Sequence, residues 1–411
     1  TEGEPLSGRG AGRRGPFPGG FPRVGLGPPH RRAFFTDRRR RRGGGPRRAA
    51  FTIARMDAAL EPLIDKIRKA AERGRPLRIR GGGSKDFYGQ QLHGELLDLR
   101  PLAGVVSYEP SELVVTVRAG TRLRELEALL AEHGQCLPFE PPRFGVAGTV
   151  GGMVAAGLSG PARASVGSLR DYVLGAQIIN GKGELLSFGG QVMKNVAGYD
   201  VSRLMTGAMG TLGVIVQVSL KVLPVPPAEA TLLFEWSETT ARQQLNRWGG
   251  QPLPLNASCW ANGQLAVRLR GARAAVQAAR QTMGGEAMDQ DGATRQWDAL
   301  RDQALQFFRL EPGEALWRAS VPDTATPLNL GPTMVEWHGG LRWLRAAPAE
   351  APRVREAAAR AGGHATLFRG GDGRAAVFTP LAEPLARIHR ALKAEFDPAG
   401  ILNPGRMALD Y

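Results

Sequence analysis

Cysteine is scarce in this chain: 411 residues carry two, Cys136 and Cys259, far apart and without a CxxC. That excludes a zinc ribbon, a disulfide scaffold and an iron–sulfur cluster held by this chain alone. One disulfide or two ordinary thiols remain, and the thiols suit a cytosolic protein. Histidine is almost as rare, with six residues: His30, His93, His133, His338, His364 and His389. None has metal-ligand spacing, and no Ser-His-Asp or Cys-His arrangement stands out. His133 at a helix end and His389 on a C-terminal helix read as solvated or capping. His338, between Trp337 and Gly339, is the one to test. No apolar run approaches a membrane span and no signal-peptide pattern is present, so the expected location is the cytoplasm.

Acidic residues are also in the minority, 38 against 54 basic ones, giving +16 and a pI near 10.8. Such a balance ordinarily suggests nucleic acid as a partner. The excess is local, however. Residues 1–55 hold 14 Arg, no Lys and 3 acidic residues, a surplus of +11, which leaves +5 for the rest. Twelve Gly and seven Pro share that stretch, which has no hydrophobic period and cannot bury enough surface to fold. A nucleic-acid arm and a transit peptide are alternatives, but Gly and Pro forbid the amphipathic helix of the latter. The favoured reading is a disordered, over-extended start, with the functional protein beginning at Met56 and no nucleic-acid partner.

Beyond the tail the elements are short and mixed. Leu60, Leu63, Ile64, Ile67 and Ala71 have helical spacing, and Gly74 ends that helix. Residues 76–80 read as a strand emptying into Gly81-Gly82-Gly83-Ser84-Lys85. Residues 113–117 form a second strand, and Thr121 is placed to cap a helix carrying Leu123, Leu126, Leu129 and Leu130. Val173 to Ile179 is a buried strand that Asn180-Gly181 turns back, and Val214 to Leu220 is another. All seven tryptophans fall after residue 227, predicting either an aromatic core or an exposed docking face.

The segment from Gly148 to Gly160 concentrates five glycines and two alanines in thirteen uncharged residues. Glycine reaches positive φ and has no Cβ, so bare N–H groups there can point at an anion. Neither this run nor Gly81–Lys85 has Rossmann or P-loop spacing, and Gly207 to Gly213 lacks a βαβ context. Two neutral loops about 65 residues apart could still grip one pyrophosphate from both sides.

The order of motifs is specific. Gly81–Lys85 and Gly148-Thr149-Val150-Gly151-Gly152 precede residues 167–175 (GSLRDYVLG), 194–200 (KNVAGYD), 210–215 (GTLGVI) and 396–406 (FDPAGILNPGR). Over 56–411 the chain resembles the FAD-linked oxidases of the vanillyl-alcohol oxidase and p-cresol methylhydroxylase (PCMH) type. Within them it is similar to the smaller FAD-binding E subunits of bacterial glycolate oxidases. The resemblance implies an α+β fold with a PCMH-type FAD-binding domain of two α/β subdomains over 56–226. A smaller, Trp-rich α+β domain over 227–375 follows, and a C-terminal helix and NPGR segment over 376–411 return to the flavin domain.

The same resemblance implies FAD as cofactor. Gly81, Gly82, Gly83, Ser84, Lys85, Gly148, Thr149, Val150, Gly151 and Gly152 would hold its pyrophosphate. Ser159, Gly160, Gly167, Asp171 and Val173 would lie along the ribityl and isoalloxazine side, with Ile215 at the other end and Asn403 returning from the C-terminus. Asp171 could instead simply cap a turn. Ser84 and Lys85 stand where covalent members carry a histidine, so the flavin is expected to be non-covalent. The histidine-glycine motif of hydroxy-acid-oxidising members is missing; residues 368–374 read FRGGDGR. Lys194 and Tyr199 are candidates for tuning the pocket.

The expected function is the FAD-binding subunit of a glycolate oxidase complex, oxidising glycolate to glyoxylate. Its partners would be a larger FAD-linked subunit, which would hold the substrate, and an iron–sulfur subunit, with peripheral membrane association through the complex. A stand-alone FAD-dependent 2-hydroxy-acid dehydrogenase and a non-catalytic assembly subunit with a vestigial flavin site are the alternatives.

Overall fold

A short parallel pair and a five-stranded antiparallel sheet frame the N-terminal half of the computed structural model, which describes residues 58–190, 200–371 and 376–408. The arginine-rich segment 1–55, Met56, Lys194, Tyr199 and residues 372–375 and 409–411 lie outside the described residues. Residues Arg55–Tyr411 form one compact unit.

Helix α1 (Glu61–Glu72) carries Pro62 in its first turn, buries Ile64, Ile67 and Ala70, and gives way to Gly74 at φ +59°. Strands β1 (Leu77–Arg80) and β2 (Glu95–Asp98) pair in parallel beneath it. Next come β3 (Val105–Glu109), β4 (Val114–Arg118), helix α2 (Leu123–Glu132) and the short β5 (Gln135–Cys136). Thr121 does not cap α2: its Oγ1 exchanges hydrogen bonds with the Gly104 N–H and C=O, and Arg122 occupies the N-cap. Helices α3 (Val150–Ala156) and α4 (Arg163–Val166) precede β6 (Val173–Ile179), β7 (Leu185–Gly189), α5 (Val201–Leu204), β8 (Val214–Lys221) and β9 (Leu223–Pro224). The sheet order is β3-β4-β8-β6-β7.

Strands β6 and β8 read as nearly unbroken apolar runs because both of their faces are covered. Ile178, Ile215 and Val218 pack with α2 and α3, whereas Ile179, Val214 and Val216 pack with α1, β1 and β2.

The second half folds as β10 (Ala228–Glu235), α6 (Glu238–Gly249), β11 (Leu255–Ala261), β12 (Gln264–Gly271), α7 (Arg273–Met283), β13 (Glu286–Ala287) and α8 (Gln290–Arg301). It continues with β14 (Ala315–Ser320), β15 (Thr333–Glu336), β16 (Leu341–Ala346), α9 (Ala351–Arg360), β17 (His364–Arg369) and α10 (Glu383–Phe396). Eight strands pair antiparallel in the order β13-β10-β12-β11-β15-β16-β14-β17. One face lies under α6, α7 and α9; the other packs Cys259, Leu316, Trp343 and Phe368 against Tyr88, Leu158 and Met209 from the N-terminal half.

The tryptophans are core rather than surface. Trp248, Trp297, Trp317, Trp337 and Trp343 are buried, Trp236 and Trp260 are half-buried, and the indole N–H of Trp260, Trp297, Trp317, Trp337 and Trp343 each finds an acceptor. Of the two readings the aromatic core holds, and the alternative docking face has no exposed tryptophan to build it.

Candidate functional site

Strand β1 is flanked by β2 on one edge and by the C-terminal segment on the other, and it ends at Gly81. The next N–H groups have nothing to pair with. Among the described residues, the N–H groups of Gly81, Gly82, Gly83, Ser84 and Lys85 donate to no protein acceptor. Five consecutive free donors at a strand end make an anion-binding concavity. Glycine is required where this loop meets the next one: a Cβ on Gly81 would lie 2.2 Å from Thr149 Oγ1, and one on Gly82 would lie 1.4 Å from the Ala147 carbonyl oxygen. Lys85 closes the loop, its Nζ 5.4 Å from the centre of the Phe144 ring. Burial lowers its pKa to about 8, with Asp302 opposing that shift.

The second loop works differently from the sequence expectation. Thr149 caps α3, accepting from Gly152 N at 3.3 Å. The N–H of Val150 donates to Thr121 O at 2.9 Å and that of Gly151 to Ala119 O at 2.8 Å. Three of the donors expected to face an anion are thus already held, Val150 and Gly151 by carbonyls and Gly152 by the Thr149 hydroxyl. What this segment contributes is thinness: Gly151 has its missing Cβ 2.5 Å from Ala119 Cβ, and Gly148 stands beside Ser84.

The third wall comes from the far end of the chain. The Leu77 N–H donates to Ile401 O at 2.7 Å and the Asn403 N–H to Leu77 O at 3.0 Å, extending the β1 edge. Asn403 Oδ1 accepts from Ile79 N at 2.8 Å, and its Nδ2 donates to Met209 O at 2.7 Å. Arg406, buried and with its pKa lowered to about 10 by that burial, donates to the carbonyls of Gln90, Asp86 and Lys85. Below them Lys393 Nζ binds Asp397 Oδ2 at 2.7 Å, Leu402 O at 2.8 Å and Thr211 O at 2.9 Å.

Gly81–Lys85, Thr149, Gly152 and Asn403 line one cleft together with Arg406 and Met209. It runs into an adjoining apolar cleft lined by Gly151, Gly210, Gly213 and Ile215. Ser159 and Gly160 line a separate cavity with Arg318, Glu336, Trp337, Trp343 and Phe368. Val150 and Val173 are core residues and line none of these three spaces. Gly167 and Asp171 form a turn, in which Asp171 Oδ2 accepts from Ser168 N at 2.8 Å and Ser168 Oγ at 2.9 Å. These bonds, with Arg203 and Arg163 nearby, hold the Asp171 carboxyl below its usual range against the opposing effect of burial.

The contacts that sequence reasoning missed involve the C-terminal sheet. Trp337 Nε1 donates to Gly160 O at 3.0 Å, and the Arg163 guanidinium lies 4.4 Å from the centre of the Trp337 ring. His338 is no metal ligand. The Ser258 hydroxyl accepts from His338 N and shares a hydrogen bond with Nδ1 at 3.0 Å, while Nε2 shares one with Ser165 Oγ at 2.9 Å. Burial drops its pKa to about 4, so the ring is neutral and pins the sheet to α4. Only the Trp337-His338 pair, both at positive φ, marks this corner as unusual, and no sequence pattern signals it. No cluster of metal ligands occurs among the described residues.

Comparison with known proteins fits this geometry. Residues 59–189 match the family model of the FAD binding domain. The chain is 47% identical to the glycolate oxidase subunit GlcE of Escherichia coli (strain K12), over 84% of this chain and 97% of that protein. It is 28% identical to the glycolate oxidase subunit GlcD of Bacillus subtilis (strain 168), over 37% of this chain and 32% of that protein. A D-2-hydroxyglutarate dehydrogenase of Xanthomonas citri is 29% identical over 60% of this chain and 59% of its own length. Among solved structures, an alkyldihydroxyacetonephosphate synthase superposes with a TM-score of 0.58 at 16% identity, covering 83% of this chain and 74% of its own; that is a likeness of fold.

Proposed function

Because this chain belongs to the glycolate oxidase GlcE family of FAD-linked oxidoreductases, we propose that it is the FAD-binding subunit of an enzyme oxidising glycolate to glyoxylate. The observation that carries this reading is the row of five free N–H groups from Gly81 to Lys85, ending in a lysine and pressed against Thr149. A row of free donors beside a cation fits a diphosphate, and the adjoining cleft at Gly213 and Ile215 fits an apolar ring system. Bound there, FAD supplies a two-electron acceptor. The protein's own part is to hold the diphosphate, orient it through Asn403 and Arg406, and exclude water. Attachment is non-covalent, since Ser84 and Lys85 stand at the first loop where covalent members carry a histidine.

With two cysteines in 411 residues, onward electron transfer needs a separate carrier. A larger flavoprotein subunit and an iron–sulfur subunit fill those roles, in the cytoplasm or peripherally at the inner membrane through the complex. A stand-alone 2-hydroxy-acid dehydrogenase is the second reading, favoured by the cavity holding Arg318 and Glu336 on this chain itself.

The test is the visible spectrum of the purified chain. A flavin spectrum whose chromophore is released by acid denaturation is expected; a colourless preparation that takes up no added FAD would sink the proposal. The pH dependence offers a second check. A bound diphosphate raises the Lys85 pKa above its free value near 8, so binding takes up a proton once the free lysine is neutral. FAD affinity is therefore expected to be flat below about pH 8 and to fall above it. Lys85→Met should weaken binding about 10- to 100-fold at pH 7, the worth of one hydrogen bond to a charged group. It should also flatten the alkaline limb, as measured by fluorescence titration.

A further inference from the structure

The cavity lined by Ser159 and Gly160 lies between the 158–161 loop and the eight-stranded sheet, and its open space, mouth included, is about 360 Å³. Its walls are mostly apolar: Leu158, Pro161, Leu341 and the rings of Trp337, Trp343 and Phe368. Three charged groups stand among them, Arg301, Arg318 and Glu336. Arg318, on β14, lies over Trp337 with its guanidinium 5.0 Å from the ring centre. Glu336 ends β15 and is 4% exposed. Its Oε1 accepts from Trp343 Nε1 at 2.6 Å, which fixes the carboxyl plane. Oε2 makes no hydrogen bond to a described residue, and Glu336 lines the cavity. A deeply buried carboxyl at a cavity wall, with one oxygen anchored and the other without a protein partner, has the form of a proton-transfer group.

We propose that this cavity is a substrate site for a small 2-hydroxy acid on this chain itself, and that Glu336 is its catalytic base, taking the hydroxyl proton on Oε2. The proposal rests on the FAD-linked function above. Oxidation to the 2-oxo acid breaks the O–H bond, whose proton goes to Glu336 and whose electron pair becomes the second C–O bond. With the flavin ring along Ser159 and Gly160, as the resemblance implies, bound FAD would be the two-electron acceptor that takes the pair of the neighbouring C–H bond. Arg318 supplies the positive charge that an anionic substrate needs in an apolar cavity.

The other groups around Glu336 set its titration. Burial pushes its pKa up to about 7, the hydrogen bond from Trp343 and the charge of Arg318 pull it down, and the carboxylate of Glu140 pushes it up, while the buried thiol of Cys259 on β11 is itself raised and stays neutral. Glu336 therefore becomes able to accept a proton as pH rises through about 7.

The experiment compares the full chain and its Glu336→Gln variant, both loaded with FAD. Gln can still accept from Trp343, so folding and FAD content serve as controls. Wild type should be bleached by glycolate under anaerobic single-turnover conditions, with a rate that rises through an inflection near pH 7. The variant should be bleached about 100-fold or more slowly, the usual worth of a positioned base. Oxalate, which cannot be oxidised this way, should bind the FAD-free chain and its variant alike. The indole N–H resonance of Trp343 should titrate with the same inflection in wild type and not in the variant. Bleaching of the variant within threefold of wild type overturns the proposal, as does a missing Trp343 titration or failure to bind oxalate. A yellow chain that glycolate does not bleach overturns the substrate site and leaves the FAD-binding reading standing. A colourless chain that takes up no FAD overturns both.

Discussion

Gly82→Ala is expected to lower FAD affinity at least 100-fold, read by fluorescence titration or by flavin content after purification. The new Cβ would sit 1.4 Å from the Ala147 carbonyl oxygen. That neighbour is backbone, so no rotamer change relieves the clash; the 81–85 loop and the 147–152 segment must separate. Overpacking of this kind costs about 1–3 kcal/mol of stability. Binding suffers more, because the two segments must converge on one ligand. Gly249→Ala is the control: a Cβ there meets nothing within 4 Å and sits at the end of α6, so stability and FAD content should hold. If Gly82→Ala retains FAD as wild type does, the loop junction is not the cofactor clamp.

Asp397→Ala should destabilise the fold by about 3–5 kcal/mol in chemical denaturation, more than the glycine substitution does. Asp397 is 1% exposed and accepts from Lys393 Nζ, Ile401 N and Leu402 N. Its removal leaves a buried ammonium with two carbonyls and no counter-charge, and leaves two N–H groups without acceptors. The same bonds hold the C-terminal segment against the β1 edge, where Asn403 and Arg406 reach the first loop. FAD affinity should therefore fall together with stability. A variant that keeps full FAD affinity while losing several kcal/mol would show that the segment stabilises the fold without shaping the site.

Much of this was legible from residue type and spacing. The strand at 77–80 emptying into glycines, the helix through Ile64 and Ile67, and the β6–β7 hairpin at Asn180-Gly181 all rest on local rules that tertiary packing did not override. Thr121 escapes the capping rule because its hydroxyl finds Gly104 across the chain, a partner that no local pattern shows. The tryptophan-rich stretch is ambiguous in sequence for a similar reason: a large aromatic suits a core and an interface equally until its neighbours are known.

The sequence by itself determined that two glycine-rich segments let a ligand or another backbone approach closely, because a missing Cβ is a property of the residue. It also determined that the chain carries no iron–sulfur cluster alone, because two thiols are too few. Which donors are free was decided only by the tertiary structure. The N–H groups of Gly81 to Lys85 remain open because β1 runs out of partners, while Val150 and Gly151 are taken by Thr121 and Ala119 from a neighbouring segment. The pairing of Glu336 with Arg318 in one cavity was likewise invisible in sequence: they lie on different strands of a sheet whose order only folding sets. A hydrogen bond or a burial depends on what arrives from far along the chain, and sequence spacing carries no record of that.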